Sequence, residues 1–150
     1  MKIVTNEYHD LLSDLVVKRN KINDRDYPYR HIAIILKSNK QISTGSNGFR
    51  ECFAGSNYLE HAEVSAVKHL PTHVTKKRKI KIDLLVIRIS NSNKLVNSKP
   101  CYKCLDYIYN NLLKYSVRNI YYSNENGDLV VEKFNRLYHD DNKHVTKRFR

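Results

Sequence analysis

Two short motifs, well separated along the chain, restrict its fold more than any other feature. The first is His61-Ala62-Glu63 and the second is Pro100-Cys101-Tyr102-Lys103-Cys104. One imidazole and two thiols are zinc-type ligands, and three protein ligands leave a fourth position open, as catalytic rather than structural zinc sites do. Glu63 is then a carboxylate that the metal does not need. Any fold that uses both motifs must bring residue 61 to residues 101 and 104.

Hydropathy patterning puts each motif at the start of a helix. Tyr8, Leu11, Leu12, Leu15 and Val16 have helical spacing, which predicts a helix over 7–19 capped by Thr5 or Asn6. Residues 20–30 are polar and read as a loop. Ile32 to Leu36 reads as a buried strand, Ser38-Asn39-Lys40 as a turn, and Gln41 to Gly45 as the returning strand. Residues 46–58 read as a loop, and Leu59 to Leu70 as a helix stopped by Pro71. Ile80 to Ile89 predicts a central strand, and Cys101 to Tyr115 a helix with Leu105, Ile108, Leu112 and Leu113 on one face. Val117 to Tyr122 and Leu129 to Phe134 are strands around an Asn126-Gly127 turn, and the basic tail from about residue 138 reads as frayed. This order predicts a single α/β domain over residues 1–150, a three-layer α/β/α sandwich on one mixed five-stranded sheet. A link this short cannot make a parallel crossover, so the last two strands form an antiparallel hairpin.

The placement has a chemical use. Free N–H groups at a helix N-terminus favour thiolate, and thiolate is the metal-ligating form. Cys101 and Cys104, three apart, share a helical face, and Pro100 suits a helix entry because its missing N–H is not needed there. His61 and Glu63, two apart, diverge, so one can hold metal while the other faces a substrate.

H-x-E followed by P-C-x-x-C is the signature of zinc-dependent nucleobase deaminases. From about Ile32 to Tyr122 the chain resembles the cytidine/deoxycytidylate deaminase superfamily, which includes tRNA adenosine deaminases and polynucleotide cytidine deaminases. The resemblance implies Zn2+ held by His61, Cys101 and Cys104, with Glu63 as the proton carrier in replacing an exocyclic amine by oxygen. It also implies substrate contacts. Asn47 of Gly45-Ser46-Asn47 would meet the sugar, groups at Ala62 and Pro100 would meet the base, and Ser98 would face the substrate. Tyr102 and Tyr122 are either base-stacking or packed residues. Among the other histidines, His31, His69, His73, His139 and His144 lack ligand spacing with the cysteines.

Composition sets the boundaries. No apolar run reaches the length of a membrane span, and the N-terminus lacks a secretory h-region, so a cytoplasmic, reducing location is expected. A lone CxxC in such a protein would also fit a redox motif, but redox motifs do not need a distant His-Ala-Glu. Cys52 reads as an isolated thiol. The net charge of +12 attracts phosphate, although an AT-rich coding bias would inflate lysine in the same way. The basic runs Lys76–Lys79 and Lys147–Arg150 read as solvated surface. The charge therefore permits a nucleic-acid partner without demanding one, and a homo-oligomer is consistent with the superfamily.

Two features divide the substrate classes. Histidine as first ligand is similar to the deoxycytidylate, tRNA and polynucleotide branches, whereas an antiparallel final strand is similar to the free-nucleoside branch. The leading expectation is a hydrolytic deaminase of a cytosine nucleoside or nucleotide. The alternatives are an RNA or single-stranded DNA editing deaminase and, in another class, a non-catalytic zinc-stabilised binding subunit.

Overall fold

Isoleucine-rich runs that are buried on both faces build the centre of the molecule. The computed structural model describes residues 2–3, 30–46, 48–51, 57–72, 77–90, 92 and 94–140. In chain order the strands are β1 (Lys2–Ile3), β2 (Arg30–Lys37), β3 (Lys40–Ser46), β4 (Gly48–Glu51), β5 (Asn57–Glu60), β6 (Ile80–Ile89), β7 (Leu95–Val96), β8 (Tyr115–Ser123) and β9 (Leu129–Lys133). The helices are α1 (Ala62–Lys68), α2 (Tyr102–Asn111) and α3 (Phe134–Tyr138).

The sheet order is β1-β9-β8-β6-β2-β3, with β7 on β6. It is a mixed α/β sheet whose five long strands are the five expected. β6 and β8 are parallel, and the remaining pairs, including the expected β8–β9 hairpin, are antiparallel. β6 is buried on both faces, which explains its nearly unbroken apolar run. Ala33, Ile35, Leu84, Val86 and Ile120 face one way and pack with Ala66, Leu105, Ile108 and Leu137 of the three helices. Ile34, Leu85, Ile87, Ile89 and Tyr121 form a second cluster on the opposite face. The helix expected over 7–19 lies outside the described residues, as do most of the loop at 20–30, Cys52 and the tail from 141. Among the described residues the helical layer is on the first face.

Several boundaries differ from the sequence reading. Residues 46–58 are not simply a loop, because Gly48–Glu51 pairs with Asn57–Glu60 in a small antiparallel sheet. That pairing takes residues 59 and 60 from the expected helix, and α1 begins at Ala62. α2 ends at Asn111 and Leu112 turns extended, so Leu112 stays in the core while Leu113 is 80% exposed. Asn110 and Asn111 are weak helix formers, and their amides are spent on the carbonyls of Asp106 and Tyr107. β7 and α3 were not anticipated. Each is a single short element held by its neighbours, too brief to show a period.

The turn at Ser38-Asn39 has both residues at positive φ (50° and 63°), the primed geometry of a two-residue hairpin. Gly45 is demanded by packing. A Cβ there would stand 2.5 Å from the Ala62 carbonyl oxygen and 2.8 Å from the Ser65 carbonyl carbon, and closer still to the Ala66 nitrogen. All three are backbone atoms that cannot rotate away. Gly45→Ala is therefore expected to destabilise the protein by about 3 kcal/mol or more, read as a fall in the urea midpoint. A midpoint unchanged from the parent would show that α1 can slide off β3.

Candidate metal centre

Both motifs place their first ligand at a helix N-cap. His61 (φ −73°, ψ 150°) caps α1 and Cys101 (φ −76°, ψ 157°) caps α2, and neither side chain makes a capping hydrogen bond. N-caps usually spend a side-chain oxygen on the first amides. Here only the backbone carbonyls serve the helix, accepting from Ser65 N and Leu105 N at 3.1 Å each. The imidazole and thiol remain available.

The two helix starts meet beyond the C-terminal ends of parallel β6 and β8, where α/β sheets bind ligands. The His61 Nδ1 atom lies 3.2 Å from Cys104 Sγ and 3.5 Å from Cys101 Sγ. The sulfurs are 3.4 Å apart, and both cysteines are free thiols. A tetrahedral zinc with sulfur at about 2.3 Å and nitrogen at about 2.0 Å would span ligand edges of roughly 3.3–3.8 Å. The triangle has nearly that size. Among the described residues, His61, Cys101 and Cys104 are the grouping of three such side chains able to hold one ion.

The electrostatics also suit a cation. The hydrogen bond with Cys104 holds Cys101 well below the usual thiol range, against burial and with help from His61. The same bond pushes Cys104 upward, and burial and the Glu63 carboxyl push it further. Two sulfurs and a carboxyl thus compete for a proton in a space where a dication would satisfy all three.

Glu63 is 2% exposed, and its Oε2 has no hydrogen-bond partner among the described residues. Burial raises its pKa above the ordinary carboxylate value, although its own backbone N–H, His61 and Cys104 oppose the shift. A carboxyl with a raised folded pKa favours folding below its unfolded pKa, and that contribution is lost as pH rises through the folded value. Metal-free protein should therefore lose stability at Glu63 as pH rises above the unfolded carboxyl range. Glu63→Gln is expected to stabilise chelator-treated protein at pH 7 by on the order of 1–3 kcal/mol, read as a higher melting temperature. The gain should vanish below the unfolded carboxyl range. An equal gain at pH 4 and pH 7 would rule ionisation out as the cause.

The other expected site residues are scattered in role. Ala62 is fully buried, with its side chain in the core under α1. Pro100 is buried immediately before the α2 cap. Ser98 is 2% exposed and its hydroxyl is engaged by the fold. It donates to the Val86 carbonyl (2.8 Å), lies 2.7 Å from Ser123 Oγ and accepts from Ser123 N at 2.8 Å. The Ser98 amide also donates to the Ser123 carbonyl at 2.8 Å. These bonds tie the 97–100 segment to the ends of β6 and β8 and so fix where Cys101 stands. Asn47 lies outside the described residues. Tyr122 is a core residue at 3% exposure, and Tyr102 stacks on Tyr138 at 6.3 Å.

Two residues with no ligand spacing stand close to the centre. His31 and Arg88 are register partners on β2 and β6, on the same face as Ala33 and Val86. The His31 pKa is lowered to about 4, first by burial, then by Arg88 and by His61. Alternation along the two strands was the only sequence signal placing them there, and it becomes informative only once the β2–β6 register is known.

No family model and no curated protein sequence matches this chain. Solved structures do. Cytidine deaminase from Mycobacterium leprae superposes with a TM-score of 0.50 at 13% identity, over 91% of this chain and 100% of that one. A dCMP deaminase from the cyanophage S-TIM5 in apo form gives 0.46 at 19% identity, over 81% of this chain and 86% of that one. The same phage enzyme in complex with dCMP and dUMP gives 0.46 at 20% identity, over 81% and 85%. At these identities the likeness is one of fold, and the chain has the cytidine deaminase fold.

Proposed function

We propose that this protein is a zinc-dependent hydrolytic deaminase acting on the cytosine base of a nucleoside or nucleotide, releasing ammonia and leaving uracil. The observation that carries the reading is Glu63. It is a fully buried carboxyl with one unpartnered oxygen and a raised pKa, set beside a His/Cys/Cys triangle of metal-ligand dimensions. An orphaned buried carboxylate is unfavourable for folding unless something uses it. Zinc held by His61, Cys101 and Cys104 would supply the Lewis acidity that makes water a nucleophile near neutral pH.

The protein's own groups would do the rest. Glu63 would take a proton from the attacking water and return protons to the ring nitrogen and the departing amine, a shuttle its raised pKa favours at neutral pH. Ala62 and Pro100 would border the base at the two helix starts, and Asn47 would reach the sugar. Ser98 would act through its hold on the 97–100 segment. The antiparallel β9 is the arrangement that the free-nucleoside branch has, which favours a small substrate over a polynucleotide. No helix among the described residues is long and apolar enough to cross a membrane. A cytoplasmic enzyme of nucleotide metabolism is the setting consistent with the free thiols.

The test is product mass after incubating zinc-loaded protein with cytidine, CMP, dCMP and short single-stranded RNA and DNA. A one-unit gain on a monomer supports the reading. A gain on oligomers alone replaces it with an editing role. No gain on any substrate, with zinc bound, turns it toward the binding-subunit alternative.

A further inference from the structure

The topology gathers a group of cations at one end of the sheet. The metal centre lies at the N-termini of α1 and α2, and the ten-residue α2 carries the chain about 15 Å to the opposite end. Cations converge there from elements distant in sequence. Lys37 and Lys40 flank the β2–β3 turn, whose strand end reaches the start of β6 through the Leu36–Asp83 pairing. Lys77, Arg78 and Lys79 lead into β6, and Lys81 lies in its first turn of residues. Lys68 ends α1, and Lys114 precedes β8, its carbonyl accepting from Ile80 N at 2.9 Å.

These are eight cations at one end. Asp83, the acid of β6 at that end, is already neutralised by Arg118 at 2.9 Å. Glu125 and Asp128 lie instead in the β8–β9 turn, at the metal-centre end. Helix C-termini attract lysine on their own account, and Lys79 Nζ does donate to the Leu112 carbonyl at 3.3 Å. The hairpin lysines and the exposed Lys77 and Arg78 have no such carbonyl to serve. Between Lys68 and Lys114 runs a groove of about 360 Å³ with Val67, Leu70, Pro71, Tyr107, Leu112 and Tyr115 in its walls.

We propose that this pole is a docking surface for a single-stranded nucleic acid, separate from the metal centre. Phosphates would meet the lysines, and an unpaired base would enter the groove between Tyr107 and Tyr115. A cationic track beside aromatic and apolar walls is the usual construction for single strands, and it carries little sequence preference. An anionic membrane fits less well. Leu113 and Tyr109, the latter stacked on Tyr138, are the large apolar side chains exposed at this end among the described residues, too little for an inserting face. The proposal does not depend on the deaminase reading, because its readout is binding.

The experiment is fluorescence anisotropy of a labelled twenty-nucleotide oligo(U) against salt, with the full chain. A variant carrying K40E, K77E, R78E and K114E, all exposed positions, is compared with a control carrying K94E, K103E, K133E and R136E. The pole variant should lose more than about tenfold in affinity and lower the salt slope by about 3, while the control keeps most of both. Equal losses in the two variants would reduce the effect to bulk charge and overturn the proposal. So would an absence of oligo(U) binding in the parent, or a parent that binds anionic vesicles in its place. The same four positions changed to glutamine serve if the glutamate variant melts early, with a smaller loss of the same pattern expected.

Discussion

Replacing Glu63 by glutamine is expected to lower turnover by at least about 10³-fold while the protein keeps one zinc per chain. The substitution preserves shape and removes only the ability to carry a proton. Glu63 is buried beside His61, Cys101 and Cys104 and has an oxygen that no group among the described residues uses. Its amide replacement should therefore fit, and should even stabilise the metal-free fold. Stability and activity move in opposite directions, which a purely structural glutamate would not produce. Turnover within tenfold of the parent, with zinc retained, would remove Glu63 from the chemistry.

Cys104→Ala is expected to weaken zinc binding by well over 100-fold, more than the loss usually seen when a mere outer partner of a ligand is removed. Cys104 Sγ is the vertex nearest the imidazole, at 3.2 Å from Nδ1, and lies 3.4 Å from Cys101 Sγ. Without it, the remaining pair cannot enclose a tetrahedral ion. The check is metal content after dialysis against a chelator of graded strength, with Cys52→Ser as the companion variant. Cys52 is expected to be dispensable, so that variant should retain one zinc per chain. If Cys104→Ala holds zinc as tightly as the parent, the ligand set is misassigned.

The element types and the ligand triangle were readable from the chain because each rests on short-range rules. Ile80 to Ile89 is a two-sided buried strand, and a near-continuous apolar run is what such a strand requires. His61 and the Cys101/Cys104 pair each open a helix, and helix starts are marked by local chemistry such as Pro100. The short link around Asn126-Gly127 permits only an antiparallel return, and β8–β9 pairs that way. The misreadings occurred where an element owes its form to a partner. Leu59 and Glu60 read as the start of a helix and Asn57 and Tyr58 as loop, and only the pairing with Gly48–Glu51 makes Asn57–Glu60 a strand.

Gly45, Ser98 and the His31–Arg88 pair show what only the assembled structure decided. Gly45 reads only as the last residue of a returning strand, but three backbone atoms of α1 lie where its Cβ would be. Ser98 reads as a residue facing substrate, but its hydroxyl bonds with Val86 and Ser123 at the strand ends. The basic pole is likewise invisible in sequence, because its cations come from four separate stretches that meet only when the strands take their register. The sequence by itself determined which atoms can bind a metal and that they sit at helix starts, since donor chemistry and helix entry depend on neighbours within a few residues. The tertiary structure decided their 3.2–3.5 Å separations, the burial of Glu63 and the gathering of eight cations at the far end. Those depend on strand order and register, which are set by the summed packing of residues far apart in the chain.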